Sequence, residues 1–299
     1  MQRYMKSMSN GGVVMAQPGE TLDDETLRRH VPSIFATEAH ESRSDRFVPI
    51  PTGVILGGLR REGFEPTYAQ QSRTRVEGKQ EFTKHMIRMR HRSLKRNDNE
   101  AFEVILLNAQ DGTSAYKLMP GFFRFVCANG LFVGDTFEPV HVRHSGKALD
   151  DVIEGTCRVL DDAPRLIDGV ERMRGTSLSV AEARAMADAA HILRFPKAYQ
   201  PEGDEDDPAT EMKGQAPITP EHLLTPRRSQ DIEGSRNLWS TFNVIQENAI
   251  KGGQSGSITG ANGRRRRQTT REVRGIDQQT ALNRALWTLA ERMAELKAA

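Results

Sequence analysis

Clustered basic residues are the feature of this sequence most suited to chemistry, because guanidinium and ammonium groups bind phosphate. Residues 73–96 carry nine Lys and Arg side chains against two carboxylates, a local charge of +7 in a 299-residue chain whose net charge is only +2. This density of positive charge favours an anionic partner, and nucleic acid is the partner that the pattern indicates. The residues predicted to contact phosphate here are Arg73, Arg75, Lys84, Arg88, Arg90 and Arg92.

Alternation within this basic segment predicts how its cations are arranged. If residues 82–94 form a strand, alternate cations share one of its faces, namely Lys84, Arg88, Arg90 and Arg92. Same-face side chains of a strand are about 6 to 7 Å apart, a distance comparable to the phosphate repeat of a nucleic-acid backbone. The alternative is a solvated strand face whose cations pair with carboxylates elsewhere in the chain.

A second basic cluster lies near the C-terminus. Residues 251–274 contain seven Lys and Arg side chains against one carboxylate, a local charge of +6, together with several glycines. The composition predicts a flexible loop suited to sequence-independent phosphate contact, and the alternative is a surface loop without a ligand. The residues predicted to contact phosphate in this cluster are Arg264, Arg265, Arg266 and Arg267.

Motifs of known enzyme classes are missing from the sequence. It has neither a Gly-rich phosphate loop ending in Gly-Lys-Ser/Thr nor a Gly-x-Ser-x-Gly nucleophile elbow. His141 and His144 have no further ligands at a spacing that completes a tetrahedral metal site, so we predict no metal, no cofactor and no catalytic residue. A less favoured hypothesis is an enzyme with an unfamiliar site near Asn108, Asp111, Asn129 and His144.

Composition points to a globular protein of a reducing compartment. Hydrophobic residues make up 37% of the chain, which also has 25 glycines and only two cysteines, Cys127 and Cys157. No apolar run approaches the roughly 18 residues of a membrane span, and no secretory leader is recognisable. We therefore expect a soluble protein with no membrane partner.

Hydrophobic periodicity changes from strand-like to helical along the chain. Short apolar or alternating runs between residues 46 and 127 predict strands, and Asp111–Ser114 fits the turn of a hairpin. After Gly146 the period lengthens, and Ser179–Glu182 forms a capping box before an Ala-rich helix. The expected fold is α+β, an antiparallel, hairpin-rich sheet packed with helices and followed by a C-terminal helical segment. Pro120 leaves residues 115–127 open between strand and helix.

Changes in composition suggest four regions. Residues 1–45 are expected to form an N-terminal arm and residues 46–195 the α+β core domain. A Pro-rich acidic stretch at residues 196–230 predicts a linker or long loop. Residues 231–299 should form a helical region around the Arg-rich loop, with one helix ending at Gly252-Gly253 and another beginning near Asp277.

Several short strings together resemble a known family. They are Asn108–Ser114, Gly121–Leu131, Arg143–Gly146, Phe242–Asn248, Gly252-Gly253 and Leu282–Trp287. On these strings the sequence over residues 43–295 is similar to the plasmid and prophage family termed domain of unknown function 932. This resemblance implies carriage by a mobile element and a location in the bacterial cytoplasm, without implying a reaction.

The predicted order of sheet and helix also resembles the architecture of single-strand annealing proteins. That resemblance implies a basic groove in which rings of subunits hold single-stranded DNA by its backbone, with Arg88, Arg90 and Arg92 in the groove and Lys84 at its margin. The leading hypothesis is a non-catalytic, homo-oligomeric protein that binds single-stranded DNA in recombination or annealing. The alternative is a protein-binding module whose acidic linker and helical residues 231–299 engage a host factor, for example to blunt a defence system.

Overall fold

The computed structural model describes residues 12–17, 19–44, 47–92, 95–97, 100–124, 129–132, 140–142, 148–199, 215–228, 231 and 237–298. The chain divides into two compact units, Met1–Pro164 and Arg165–Ala299. The boundary between the units therefore lies between residues 164 and 165, whereas the sequence placed the end of the core domain at residue 195.

An antiparallel sheet forms the centre of the first unit. Its spatial order is β1-β2-β3-β5-β6-β7, with β4 paired to β5 and β8 paired to β6. All nine residues of β5 are buried, because this largely apolar strand has a neighbour on each side. The strands are β1 (Val13–Met15), β2 (Phe64–Gln71), β3 (His85–His91), β4 (Lys95–Asn97), β5 (Glu100–Asn108), β6 (Tyr116–Arg124), β7 (Asn129–Phe132) and β8 (Val140–Val142).

Three α-helices accompany this sheet among the described residues of the first unit, namely α1 (Asp24–His30), α2 (Thr52–Arg61) and α3 (Ala148–Asp161). α2 packs on β2, and α3 packs on β5, β6 and β8. α1 begins at Asp23, whose carboxylate accepts a 2.7 Å hydrogen bond from the amide of Thr26. Because β1 pairs with β2 and α1 buries Leu27, the described part of residues 1–45 belongs to this unit and is not a separate arm.

Pro120 lies inside β6, so residues 116–124 form a strand. On one side β6 pairs with β5 along its length, and Pro120 is opposite Val104. On the other side the partner changes, since Leu118 is the last residue paired with β8 and Gly121 is the first paired with β7. Proline is tolerated here because its missing N–H falls where the outer partner changes.

The second unit is mainly helical. The ring of Phe242, in the helix at residues 238–251, lies 6.1 Å from that of Trp287, in the helix at residues 276–298, so buried aromatic side chains join these two helices. α5 begins with the predicted capping box, in which Ser179 Oγ accepts from the Glu182 amide at 3.2 Å and the Glu182 carboxylate accepts from the Ser179 amide at 2.7 Å. The elements are α4 (Ala163–Gly175), α5 (Val180–Arg194), α6 (Pro220–Leu223), α7 (Leu238–Lys251), β9 (Ser255–Thr259), β10 (Arg265–Thr269) and α8 (Ile276–Ala298).

The described end of the segment predicted as a linker, residues 196–230, is folded into the second unit. Residues 200–214, which contain its acidic run, lie outside the described residues. The end of the segment, by contrast, contains α6, which packs against α5 and α7 and buries Leu223 completely. α7 ends before Gly252-Gly253 and α8 begins next to Asp277, as predicted. Gly252 follows α7 with a φ of +62°, a conformation that favours glycine. No helix in the described part of the chain combines the length and apolar character needed to cross a membrane.

Candidate nucleic-acid interface

The Arg-rich segment predicted as a loop is a β-hairpin. β9 and β10 pair antiparallel with Arg267 opposite Ser257 and Arg265 opposite Thr259. The turn between them closes through a 2.9 Å hydrogen bond from the Gly260 amide to the Arg264 carbonyl, and Gly263 has a φ of +71°. Alternating hydroxyl residues at 255, 257 and 259 were the sequence signal for the first strand.

The hairpin presents cations and hydroxyls together on one face. Cross-strand neighbours share a face, so Arg265 and Arg267 lie on the same side as the hydroxyl residues of β9. Arg265 Nη2 donates to Ser257 Oγ at 2.8 Å, and Arg267 Nη2 donates to Ser255 Oγ at 3.3 Å. Both guanidinium groups are thereby oriented along the strands, and both side chains are exposed.

The charge of this hairpin is not neutralised by its surroundings. Residues 252–271 contain no Asp or Glu. The next carboxylate along the chain, Glu272, pairs with Arg274 at 2.8 Å. Within the described ranges, no carboxylate lies within 4.0 Å of the guanidinium groups of Arg264–Arg267. All four arginines are exposed, but side chains alternate along β10, so Arg265 and Arg267 lie on one face and Arg266 lies on the other. We call the surface formed by Arg265 and Arg267 the arginine hairpin face.

Contacts at the β9 edge and at the base hold the hairpin in place. The side-chain amide of Gln215 binds both backbone groups of Thr259, accepting from its N–H at 2.7 Å and donating to its carbonyl at 3.2 Å. Gly256 lies so close to the Pro217 carbonyl that a Cβ there would come within 1.7 Å of its oxygen. At the base, the Thr270 amide donates to the Gln254 carbonyl at 2.9 Å. The arginines therefore stand on an ordered ribbon. Gln215 is an anchoring residue that no sequence pattern singled out.

The cations of the first basic segment do not form one surface. Arg73 and Arg75 are exposed in the loop that follows β2, and Lys84 is half-buried just before β3. Arg92 is exposed directly after β3, and its Nη2 donates to the Arg60 carbonyl at 3.4 Å. Of the six candidates in this segment, Arg73, Arg75 and Arg92 are the exposed ones.

Arg88 and Arg90 lie on one face of β3, as alternation predicted, but both contact a carboxylate of β5, and Arg88 is buried while Arg90 is partly buried. Arg88 Nε donates to Glu103 Oε2 at 2.6 Å, and Arg90 Nη2 donates to Glu103 Oε1 at 2.8 Å. The Arg88 guanidinium lies 3.7 Å from the centroid of the Phe123 ring, and only 2% of this residue is exposed. The expected uncompensated cationic stripe is therefore wrong for these two residues. The alternative correctly predicted that these cations pair with a carboxylate elsewhere in the chain, but it expected a solvated face, and Arg88 is buried.

Glu103 is the residue that the sequence interpretation missed. Burial raises the pKa of Glu103, but the charges of Arg88 and Arg90 and the hydrogen bonds outweigh burial, so its pKa lies below the usual value. Thr67 Oγ1 also donates to this carboxylate, at 2.8 Å. Its sequence signal was a single acid inside the apolar run of β5, because a buried carboxylate requires a cationic or hydrogen-bonding partner.

The group around Asn108 and Asp111 supports the fold. Asn108 Nδ2 donates to the Ile50 carbonyl at 3.0 Å and to Thr52 Oγ1 at 2.9 Å, while His85 Nε2 lies 2.9 Å from the same hydroxyl. Asp111 accepts from the amide and the hydroxyl of Thr113, as an Asp in a turn does. Asn108, Thr52 and His85 are completely buried, so they do not line an accessible site.

Candidate metal ligands do not come together in the described part of the chain. No group of three or more His, Cys, Asp or Glu side chains is placed there to hold an ion. His144 and the side chain of Asn129, two members of the hypothetical enzyme site, lie outside the described atoms.

The C-terminal signature strings are explained by contacts between elements. Gln246 Nε2 donates to Asn283 Oδ1 at 2.7 Å and thereby joins α7 to α8. Asn248 Nδ2 donates to the carbonyls of Leu223 and Thr225 at 2.9 and 2.8 Å, which holds the chain after α6. These side chains are buried, so the strings Phe242–Asn248 and Leu282–Trp287 contribute to the packing of the second unit.

Comparison with known families confirms the family that the signature strings of the sequence suggested. Residues 39–287 match the family model described as domain of unknown function (DUF932). The chain belongs to this family. Two DUF932 relatives from Escherichia coli K12, UPF0380 protein YafZ and UPF0380 protein YfjQ, are each 41% identical over 283 residues, which is 95% of this chain and 95% of each relative. No solved structure matches this DUF932 chain.

Proposed function

We propose that this protein binds nucleic acid without sequence preference, and that the arginine hairpin face contacts the phosphate backbone. The observation that carries the proposal is the cluster of four exposed arginines on an anchored ribbon, with no carboxylate in residues 252–271. When arginines without a carboxylate partner neutralise phosphates, the counterions condensed on the nucleic acid are released. That release supplies affinity that does not depend on sequence.

Single-stranded DNA is the proposed ligand. Arg265 and Arg267 are successive same-face residues of β10, so their side chains start about 6 to 7 Å apart. A single strand is flexible enough to place neighbouring phosphates at that spacing. Residues 252–274 contain no Phe, Trp or Tyr, which indicates contact with the backbone and not base stacking at this surface.

The first basic segment has a secondary part in this proposal. Arg73 and Arg75 are exposed and are available to extend the contact with phosphate. Arg88 and Arg90, in contrast, would have to leave Glu103 to bind DNA, and a buried carboxylate without its partners is strongly unfavourable. We therefore assign Arg88 and Arg90 to the stability of the sheet.

A role in recombination or annealing, in a plasmid or prophage, completes the proposal. Several copies of the chain, each holding the strand by its backbone, would leave the bases exposed for pairing. The proposed active form is therefore a homo-oligomer on DNA. Mass photometry of the protein with and without oligothymidine tests this part, and a single copy per strand at every concentration contradicts it.

Fluorescence anisotropy of labelled oligothymidine tests the binding itself. We expect binding that weakens steeply with salt and an affinity reduced roughly tenfold in the double variant R265Q/R267Q. The matched control is R29Q/R158Q, which removes the same charge from two exposed helix positions of the first unit. Equal affinities for the two variants, or no binding of the wild type at low salt, overturn the proposal.

A further inference from the structure

The outer edge of β10 is unpaired within the described part of the chain. β9 and β10 form a two-stranded sheet, so each strand has one edge that is not used by the other. The edge of β9 is occupied at Thr259, where the Gln215 side chain takes the place of a neighbouring strand. No described residue pairs with the corresponding edge of β10.

The hydrogen-bond alternation of the hairpin shows which groups that edge offers. The bonds from Gly260 to Arg264 and from Thr270 to Gln254 mark hydrogen-bonded positions, and these alternate with non-bonded positions along an antiparallel pair. The backbone groups of Arg266 and Gln268 therefore point towards β9. Those of Arg265, Arg267 and Thr269 point away from it, which gives three N–H donors and three carbonyl acceptors along the free edge.

The charge of the edge selects what can pair with it. Two of the three outward-pointing residues are arginines, and both neighbours of Arg265, namely Arg264 and Arg266, are also arginines. A second copy of β10 would place arginines opposite arginines, and like charges directly across a strand pair are destabilising. A strand with carboxylates at alternate positions would place opposite charges across the pair, which is stabilising.

We propose that this edge binds an extended acidic peptide of a partner protein by strand addition. A peptide strand satisfies both the donors and the acceptors of the edge, whereas a phosphate backbone satisfies only the donors. The anchors at Gln215 and Gly256 hold the ribbon before the ligand arrives, so little ordering is required on binding. The same arginines serve the proposed function, so acidic peptide and nucleic acid compete for this surface.

The probe is a fluorescent peptide with glutamates at alternate positions, acetyl-Thr-Glu-Val-Glu-Val-Glu-Thr-amide. The full-length protein is expected to bind it, and N-methylation of the peptide amides that face the edge should weaken binding about tenfold, because charges remain while strand hydrogen bonds are lost. The same peptide with lysines in place of glutamates should not bind. Equal affinity of the methylated and unmethylated peptides overturns strand addition.

A pair of variants at Thr269 tests the edge without changing its charge. Thr269 is exposed, and its outward N–H takes no part in the hairpin, so T269P removes an edge donor and obstructs a third strand. T269A is the matched control, because both variants lose the hydroxyl that lies 3.3 Å from Ser255 Oγ. We expect T269A to bind the peptide as the wild type does and T269P to lose at least roughly tenfold in affinity.

Two further measurements distinguish peptide binding at this edge from DNA binding and from self-association of the protein. T269P should retain binding to oligothymidine, because all four arginines remain, so a failure of peptide binding alone leaves the DNA proposal intact. Sedimentation velocity of T269P and T269A reports self-association. If T269P disrupts an oligomer that T269A forms while the peptide does not bind either protein, the edge belongs to a second copy and the proposal of an acidic partner is overturned.

Discussion

Glu103 on β5 accepts a 2.6 Å hydrogen bond from Nε of Arg88 on the neighbouring strand β3, and the two side chains are only 2% and 3% exposed, respectively. A second guanidinium, that of Arg90, contacts the other carboxylate oxygen. One carboxylate thus compensates cations of the most basic segment of the chain. Arg88 and Arg90, which were predicted to contact phosphate, therefore belong to the packing of the sheet.

Replacing Glu103 with Gln should destabilise the protein by about 3 to 5 kcal/mol, because it leaves a buried guanidinium without its counter-charge. Urea denaturation near neutral pH measures the loss. The control is E154Q, which breaks an exposed pair with Arg158 on α3 and should change stability by less than about 1 kcal/mol. A similar small effect for E103Q would show that the pair contributes little.

The stability of the fold should fall in mild acid through His85. Burial lowers the pKa of this histidine from 6.5 to about 4. The unfolded chain therefore binds a proton that the folded chain does not as the pH falls from 6.5 towards 4, and stability decreases by up to about 1.4 kcal/mol per pH unit in this interval.

Denaturation of the wild type and H85Q at several pH values measures this contribution. Burial also lowers the pKa values of His30 and His191. The free energy of unfolding of H85Q should therefore depend less steeply on pH than that of the wild type, but the contributions of His30 and His191 should remain. Glu103 contributes to the pH dependence only at the acid end of this interval and below it, because its pKa is lowered in the fold and its stabilising charge is lost only as the pH falls below about 4.5. An unchanged slope in H85Q would contradict the assignment.

Gly256→Ala should detach the hairpin from the segment at residues 215–218. A Cβ at this position would meet the Pro217 carbonyl oxygen at 1.7 Å, so either the backbone or the hairpin must move, at a cost of about 1 to 3 kcal/mol. Hydrogen exchange of the β9 amides should become faster. The control is Gly57→Ala in α2, where no neighbouring atom lies within 4 Å and where alanine should stabilise the helix by about 0.5 to 1 kcal/mol. Unchanged exchange in G256A would show that this contact does not hold the hairpin.

The two exposed basic regions should differ in their contribution to DNA binding. If Arg265 and Arg267 each contact one phosphate of a single strand, R265Q/R267Q lowers the slope of log affinity against log salt by about 1.4. R73Q/R75Q should have a smaller effect, because these two arginines stand in a loop and not on a paired ribbon. Salt titrations of both variants with oligothymidine compare them. A larger effect of R73Q/R75Q would place the main interface on the first unit.

Much of the fold follows from local sequence. The period-two pattern of β3, the capping box at Ser179 and the apolar face of α7 each depend on residues within a few positions of one another. For this reason the α+β class, the hairpin turn near Asp111 and the helices near the C-terminus are confirmed. The signature strings likewise identified the DUF932 family, because a short string is recognised without any knowledge of its contacts.

The composition of the candidate surfaces was also determined by sequence, but their exposure was not. Whether an arginine faces solvent or a carboxylate depends on strand register, and register depends on partners far apart in the chain. Glu103 neutralises Arg88 because β5 lies beside β3 in the sheet, and Gln215 anchors Thr259 across 44 positions. The sequence alone determined that the chain has two strongly basic clusters. The tertiary structure decided that one is partly buried in ion pairs and that the other stands on an anchored hairpin, because only folding brings distant charges and backbone groups within bonding distance.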